Sequence, residues 1–507
     1  MSTAVAEDDS YLLGLDAGNT VIKAVLFDIY GRQVAMHGMD GHTRSPKPGH
    51  VERDVNELWG NAREAIRTCI DKAGIDTAQI AAIGTAGHGN GLYLLDRDGT
   101  ALIGIQSLDT RAAALAEELD FENGAAMHAI SLQRPWPSQT PVLLAWLKRH
   151  ESDLYASAGT LLFAKDVITF HLTGERASEI SDMSGAGLLR LPETIYDRRL
   201  LALYDLEDAQ ALLPSLYRPT DIVGHVTARA AEATGLCEGT PVVGGYFDVV
   251  ASALGSGAVD QGAASIVAGS WSINQVFSEA PVCDDRVFMV STYGDSRFAN
   301  MENSATSAAN LEWYVRTLVE RGGQNEDDPF AMVNDLVDRV TPAPDDPLFH
   351  PFLYGGRMGA HQRGGFYGLA GWHGEGHLLQ ALFEGVMFEH RRHVEVLGEA
   401  GVTFSQATLS GGGSRSHRWP QIFADGLGVP VTVAEARETG ALGAAIAAAV
   451  GVGIHADEVS GVREMVRPER TCRPERRMRA YFDRRYKIWT HLTAAMEPIW
   501  KELDARP

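Results

Sequence analysis

The sequence predicts a mixed α/β protein of two large domains, each built on its own sheet, and three observations carry that expectation. The chain has 507 residues, whereas a single hydrophobic core stops growing at about 250–300 residues. Short strand-like runs alternate with helical patterns along it. One unit of strand, small-polar turn and strand is written twice, in corresponding places of two halves. A scaffold duplicated in this way could grip one polyphosphate from both sides, as a nucleotide-driven machine would.

The first copy runs from Leu12 to Phe27: Leu-Leu-Gly-Leu, then Asp16-Ala17-Gly18-Asn19-Thr20, then the alternating run Val21 to Phe27. The second follows Gly262 and reads Ala-Ala-Ser-Ile-Val-Ala, then Gly269-Ser270-Trp271-Ser272, then Ile-Asn-Gln-Val-Phe. Further strands are expected at Ile80–Gly84, Gly91–Leu95 and Pro241–Val243, and helices at Val55–Ala73, Pro141–His150 and His377–Leu397. Asp28 to Gly31 and Asp96-Arg97-Asp98-Gly99 read as turns between apolar runs. The stretch Gly255-Ser256-Gly257 through Gly262 is the expected hinge. Glu326 to Pro347, rich in Asp and Pro, reads as an irregular surface insertion, and Glu464 to Arg479 as a charged tail before a final helix, Tyr481 to Leu503.

Hydrophobic content of 45% and charged content of 22% are those of an ordinary globular chain. A formal net charge of −22 supplies no basic field for phosphate backbones or anionic membranes, so nucleic acid and membrane are excluded as general partners. Any phosphate must be held locally. Cys69, Cys237, Cys283 and Cys472 show no CxxC spacing, which argues against a zinc site or a disulfide framework and for a reducing cytoplasm. The start, Met1 to Ser10, is acidic and polar, unlike a secretory signal. Ala441 to Ile454, the longest small-apolar stretch, is interrupted by glycine and shorter than the ~20 residues of a membrane span.

In the first hairpin, Gly18 lets backbone N–H groups approach a phosphate, and Asn19 and Thr20 add polar contacts. A carboxylate beside a triphosphate is tolerable only with a divalent cation between them, so Asp16 implies Mg²⁺. The same residues are common turn formers. Gly244-Gly245-Tyr246-Phe247-Asp248 ends a strand and opens the apolar helix Val249 to Leu254. An Asp at a helix start is usually a cap, yet here it could accept the proton of a substrate hydroxyl. Gly411-Gly412-Gly413-Ser414 lies between a strand and the helix Trp419 to Leu427, where a base or phosphate could rest on the backbone. The helix Glu438 to Val450, with Gly440 and Gly443, is expected to pack beside that turn. His88 and Asn90, followed by Asp109 and Arg111, are residue types that recognise polyol hydroxyls, or equally surface-turn residues.

Together these segments resemble the FGGY carbohydrate kinases from Tyr11 to about Val452. Asp16-Ala-Gly-Asn-Thr-Val-Ile-Lys23 with Phe27-Asp28 is similar to the family's first phosphate motif. Gly364-Gly-Phe366-Tyr-Gly368-Leu369, followed after seven residues by His377-Leu378-Leu-Gln-Ala381-Leu-Phe383-Glu384, is similar to its second-half signature, with Leu382 slightly outside the usual choice. The resemblance implies the duplicated ribonuclease H-like fold shared with actin and hexokinase, with the active site in the cleft between domains. It implies an N-terminal domain at 11–255, a C-terminal domain at 262–455, and a charged segment with a helix at 456–507. By position it makes Asp248 the catalytic base, Asp16 the metal holder, and Asp16, Gly18, Asn19, Thr20, Lys23, Gly269 and Ser270 the phosphate-binding set. Gly411 and Gly412 become the adenosine contact. His88, Asn90, Asp109 and Arg111 line the acceptor site.

The implied reaction moves the γ-phosphoryl of ATP, with Mg²⁺, to a terminal hydroxyl of a small sugar or polyol. The chain departs from many members at Ser107, where they have Trp, and at His88-Gly89-Asn90, where xylulokinases have Gln-Met-His. Pro48 to Asp54, Gly245 to Val250 and Thr306 to Trp313 look most like the L-xylulose (3-keto-L-gulonate) kinase branch. Erythritol-type polyol kinases are close competitors. An ATP-binding conformational switch on the same scaffold is the alternative from another class. A dinucleotide-dependent dehydrogenase is disfavoured because no GxGxxG follows a strand. Arg111 and Arg357 could meet an acidic sugar or serve as ordinary salt-bridge residues. A homodimer is compatible with this reading.

Overall fold

The computed structural model describes residues 9–294, 297–319 and 329–504. The chain divides into two compact units. The first takes Met1–Asp260, Phe277–Asn300 and Glu438–Arg467, and the second takes the remainder.

In the first unit, β1 (Tyr11–Ala17), β2 (Val21–Asp28) and β3 (Gln33–Asp40) form an antiparallel meander. The helix α1 (Val55–Ala73) follows, started by the Asp54 side chain, which accepts the N–H groups of Asn56 and Glu57. It ends at Gly74 in the left-handed conformation. Its apolar face covers the sheet through Leu58, Ala62, Ala65 and Ile66, all fully buried. The chain then enters β4 (Ile80–Gly87), which runs parallel to β1. Helices α2 (Ala164–Thr173) and α3 (Ile180–Gly185) precede the edge strands β5 (Ile222–His225) and β6 (Pro241–Val243). The sheet order is β5-β6-β4-β1-β2-β3, with Tyr246–Phe247 also paired to β4. Asp248 then opens α4 (Asp248–Gly255).

A second sheet repeats this wiring. Strand β7 (Ala263–Ala268) pairs antiparallel with β8 (Ser272–Ser278), and β9 (Arg297–Ser304) lies beyond β8. After α5 (Glu375–Glu399), β10 (Gln406–Ser410) joins β7 in parallel, as β4 joins β1. Helix α6 (Trp419–Leu427) leads to β11 (Val431–Ala434). The edge strand β12 (Pro468–Cys472) is antiparallel to β11, as β5 is to β6. The order β9-β8-β7-β10-β11-β12 therefore mirrors β3-β2-β1-β4-β6-β5 over six strands, and the second sheet adds an edge strand, Met289–Tyr293, beyond β9. The duplicated two-domain α/β fold is borne out.

Two local expectations need correction. The Asp- and Pro-rich stretch is not irregular throughout: Pro329–Asp338 is a helix burying Val333 and Val337, and residues 320–328 lie outside the described set. The charged tail contains β12, and the final helix, Arg476–Asp504, starts inside it. Most of its charges sit on exposed positions, Arg485 being buried against Glu384, while Phe482, Tyr486, Trp489 and Trp500 turn inward. Helix α7 (Thr439–Gly451) packs against β1, β4 and α4 in the first unit.

Candidate functional site

Side chains alternate along β1, so Leu13, Leu15 and Ala17 enter the core while Asp16 takes the opposite face. Asp16 lies opposite Lys23 on β2 and beside Ala86 on β4. Tyr246 also pairs with Ala86, and Phe247 with Gly87. The next residue, Asp248, therefore leaves the sheet at the end where Asp16 stands. Gly245 makes this possible: its φ is +77°, and a Cβ there would lie 1.9 Å from the Thr85 carbonyl oxygen. Asp248 is the first residue of α4 rather than its cap, a place taken by Phe247.

Both carboxyls are half-buried and both are harder to ionise than usual. Burial pushes Asp16 up to about 6, with Lys23 opposing and Glu438 adding to the rise. Burial and then the charge of Asp16 push Asp248 well above the usual carboxylate range. Among the described residues Asp16 has no hydrogen-bond partner for its side chain, and no group of three or more His, Cys, Asp or Glu could hold a metal. A divalent cation at Asp16 would relieve its repulsion with Asp248 and take most ligands from water and phosphate, a coordination suited to Mg²⁺. Lys23 Nζ donates to Glu438 Oε2 at 2.6 Å.

The turn after β1 is held from behind. Arg53, 2% exposed, donates to the Gly18 and Asn19 carbonyls at 3.0 and 2.6 Å. Gln106 Nε2 donates to the Asn19 carbonyl at 2.6 Å, and Asn19 Nδ2 donates to Ser107 Oγ at 3.0 Å. The Thr20 carbonyl accepts the Gly41 N–H. Sequence reasoning assigned Arg53 and Gln106 no role, since their reach to the turn depends on folding.

His88 and Asn90 follow β4 and are each 2% exposed. His88 Nε2 pairs with the Tyr93 hydroxyl at 3.0 Å, leaving Nδ1 unpartnered. Burial, aided by Arg53, lowers this imidazole to about 3, so it is neutral. Asn90, at φ 58°, leaves Oδ1 unpartnered. Asp109 and Arg111 are arranged differently. Arg111 donates to Asp109 through Nε and Nη2 and to Glu52 Oε1 at 2.7 Å, while Asp109 Oδ2 accepts the Val51 N–H at 2.6 Å. Both side chains are fully buried in this ion pair, and Arg111 keeps one unpartnered nitrogen, Nη1. Arg357, in the second unit, pairs with Glu302 at 2.6 Å, the salt-bridge alternative.

Sequence reasoning missed a charged cluster beneath this loop. Lys165 lies within 2.6 Å of Asp166, 3.0 Å of Asp182 and 3.4 Å of Glu179, all fully or almost fully buried. Burial drives the Asp182 carboxyl well above its usual range; Lys165 opposes this, and the Glu179 and Asp166 charges add to it. Lysine and acidic residues at these spacings look like ordinary helix surface in sequence.

In the second unit, Gly269 and Ser270 form the β7–β8 turn, and the Gly269 carbonyl accepts the Ala308 N–H at 2.8 Å. His390 anchors the strand behind it, meeting Ser272 Oγ at 3.1 Å, Asn274 Oδ1 at 2.8 Å and Ser307 Oγ at 2.8 Å. A Cβ on Gly411 would lie 2.8 Å from the Ala268 carbonyl oxygen. The Gly269 and Gly411 turns are thus neighbours at the carboxyl ends of the parallel strands β7 and β10, where open α/β sheets bind ligands.

Residues 11–255 match the N-terminal domain of the FGGY family of carbohydrate kinases, and residues 264–452 match its C-terminal domain. The chain is 34% identical to an L-xylulose/3-keto-L-gulonate kinase of Escherichia coli (strain K12), covering 96% of this chain and 97% of that one. It is 36% identical to a probable L-xylulose kinase of Pasteurella multocida (strain Pm70), covering 97% and 100%. The crystal structure of xylulose kinase from Rhodospirillum rubrum superposes with a TM-score of 0.87 at 28% identity, covering 97% of this chain and 100% of that one. The duplicated sheets, the two domain matches and these full-length relatives together establish that the chain belongs to the FGGY family of carbohydrate kinases, phosphotransferases with an alcohol as acceptor.

Proposed function

We propose that this kinase transfers the γ-phosphoryl of ATP to a terminal hydroxyl of a neutral ketopentose of the L-xylulose type. The observation that carries the reading is the placement of Asp248. Its half-buried carboxylate starts a helix at the sheet end that also bears Asp16. Asp248 accepts the proton of the acceptor hydroxyl as the oxygen attacks phosphorus. The raised affinity of that carboxylate for a proton suits it to this task.

Asp16 holds Mg²⁺, which when bound supplies charge neutralisation on the phosphates. Gly18, Asn19, Thr20 and Lys23 in the first unit and Gly269 and Ser270 in the second bind the phosphate chain. Gly411 and Gly412 carry the adenosine. His88 Nδ1 and Asn90 Oδ1, both unpartnered, bond acceptor hydroxyls, Oδ1 by accepting and Nδ1 in the role left to it by the Nε2–Tyr93 bond. Asp109 and Arg111 brace the wall.

The charge balance favours a neutral ketose over a keto-acid. Arg111 faces both Asp109 and Glu52, so its one positive charge is already exceeded. The reaction class, the negative net charge and the absence of any helix long and apolar enough to cross a membrane among the described residues all suit a cytoplasmic enzyme. Acceptor-dependent ADP release, measured across ketopentoses, tetritols and keto-acids, tests the reading. Preference for one ketopentose supports it, and turnover indifferent to every acceptor overturns it in favour of an ATP-driven switch.

A further inference from the structure

The short helix α3 is the point to which several parts of the acceptor side are moored. Glu179, just ahead of it, accepts the backbone N–H groups of Ser181 and Asp182 and the Ser181 hydroxyl, the last at 2.8 Å. The Ser181 oxygen in turn accepts the backbone N–H of Phe247 at 3.0 Å. The Ser181 carbonyl accepts the Ser291 hydroxyl at 2.8 Å, and Ser184 Oγ accepts the Thr292 N–H at 3.0 Å. Ser181, Glu179 and Lys165 are all 0% exposed.

The same group supports the acceptor loop. A Cβ at Gly87 would lie 3.0 Å from the Lys165 Cβ, and one at Gly89 would lie 2.7 Å from Asp182 Oδ1. The loop carrying His88 and Asn90 therefore rests directly on the Lys165 cluster. One rigid assembly thus sits under the acceptor loop and grips the backbone immediately before Asp248.

We propose that Ser181 is a positioning residue for Asp248: its hydroxyl, oriented by Glu179, fixes the Phe247 amide and so sets the direction in which the Asp248 carboxylate leaves the sheet. The chain Phe247 N–H to Ser181 Oγ–H to Glu179 carboxylate uses the hydroxyl as acceptor and donor at once, which Ser or Thr can do and Ala cannot. Such linked bonds strengthen one another in a dry interior. Asp248 is one residue beyond the fixed amide, and the neighbouring Val249 N–H, which its carboxylate accepts, belongs to the same helix start and moves with it. Freeing the Phe247 peptide lets the carboxylate drift, and a displacement of about 1 Å at a reacting group can cost ~100-fold in rate.

The proposal rests on the reading of Asp248 as the base, and the test separates the two. Steady-state kinetics are measured for the native chain, Ser181→Ala and Ser181→Thr, with thermal unfolding alongside. Ser181→Ala is expected to lower kcat ~10–100-fold with the KM for ATP within about twofold of native, and Ser181→Thr to recover most of the loss. A folded Ser181→Ala with native kcat overturns the proposal, as does a Ser181→Thr that loses as much. If Ser181→Ala fails to fold, Ser181→Cys, whose thiol is a weak acceptor, is read instead, with reduced kcat expected and native kcat overturning. Loss of stability with unchanged kcat marks Ser181 as structural only and also overturns it. No acceptor-dependent turnover in the native chain sinks the base reading itself, whereas normal native turnover with an indifferent Ser181→Ala sinks this proposal alone.

Discussion

Lys23 and Glu438 are joined by a 2.6 Å hydrogen bond although 415 residues separate them. The bond fixes the start of α7 beside Asp16, where a Cβ on Gly440 would come within 2.9 Å of Asp16 Oδ2. The late helix is thereby part of the first sheet's packing. Its backbone lies so close that Cβ atoms on Gly14, Gly84 and Gly443 would meet carbonyl oxygens at about 2 Å.

This closeness makes Gly443→Ala costly. The added methyl would lie 2.0 Å from the Ala251 carbonyl oxygen on α4, so the two helices must separate. Overpacking of this kind costs about 1–3 kcal/mol, and the loss should show in urea unfolding. Because Ala251 lies one turn beyond Asp248, kcat should fall as well; stability and kcat both unchanged would refute the packing argument.

Asp248→Asn keeps the shape of the side chain and removes the proton acceptor. Turnover is expected to drop ~100-fold or more, while the thermal shift produced by ATP persists. Near-native turnover would strip Asp248 of its role.

Lys165→Met leaves Asp166, Glu179 and Asp182 buried without their shared cation. Removing one partner of a buried ionic group costs about 3–5 kcal/mol. Lys165→Met combined with Asp182→Leu should recover part of that loss, since the carboxyl least willing to ionise is gone. Strictly additive losses in denaturant titrations would show that the two do not interact.

His88 makes stability depend on pH with a definite sign. Its folded value, about 3, lies below the ordinary 6.5, so the unfolded chain binds a proton that the native chain refuses. Its contribution is constant above about 6.5 and is lost at about 1.4 kcal/mol per pH unit as pH falls from there toward 3. His88→Gln should therefore narrow the stability gap between neutral and acidic buffer. An equal gap in both proteins would contradict the burial assigned to His88.

Much of the architecture was legible in the chain because it is written locally. The two hairpins, α1 and the strand–glycine–helix junctions at Asp248 and Gly411 all rest on short-range alternation, turn formers and helix periodicity. Those signals do not require knowing what lies across the interior. The packing of α7 on β1, β4 and α4 was not legible for that reason: glycines announce close approach but not the surface approached.

The sequence by itself determined the duplicated α/β plan, the family, and the identity of the residue types that phosphoryl transfer needs. Only the tertiary structure decided that Asp109 and Arg111 pair with one another, that Arg53 and Gln106 hold the turn after β1, that Lys165 and Asp182 lie against the loop carrying His88 and Asn90, and that Ser181 accepts the Phe247 N–H. The physical reason is range. Backbone preference and hydrophobic period act over a few residues, whereas ion pairs and buried hydrogen bonds join groups that only packing brings within about 3 Å.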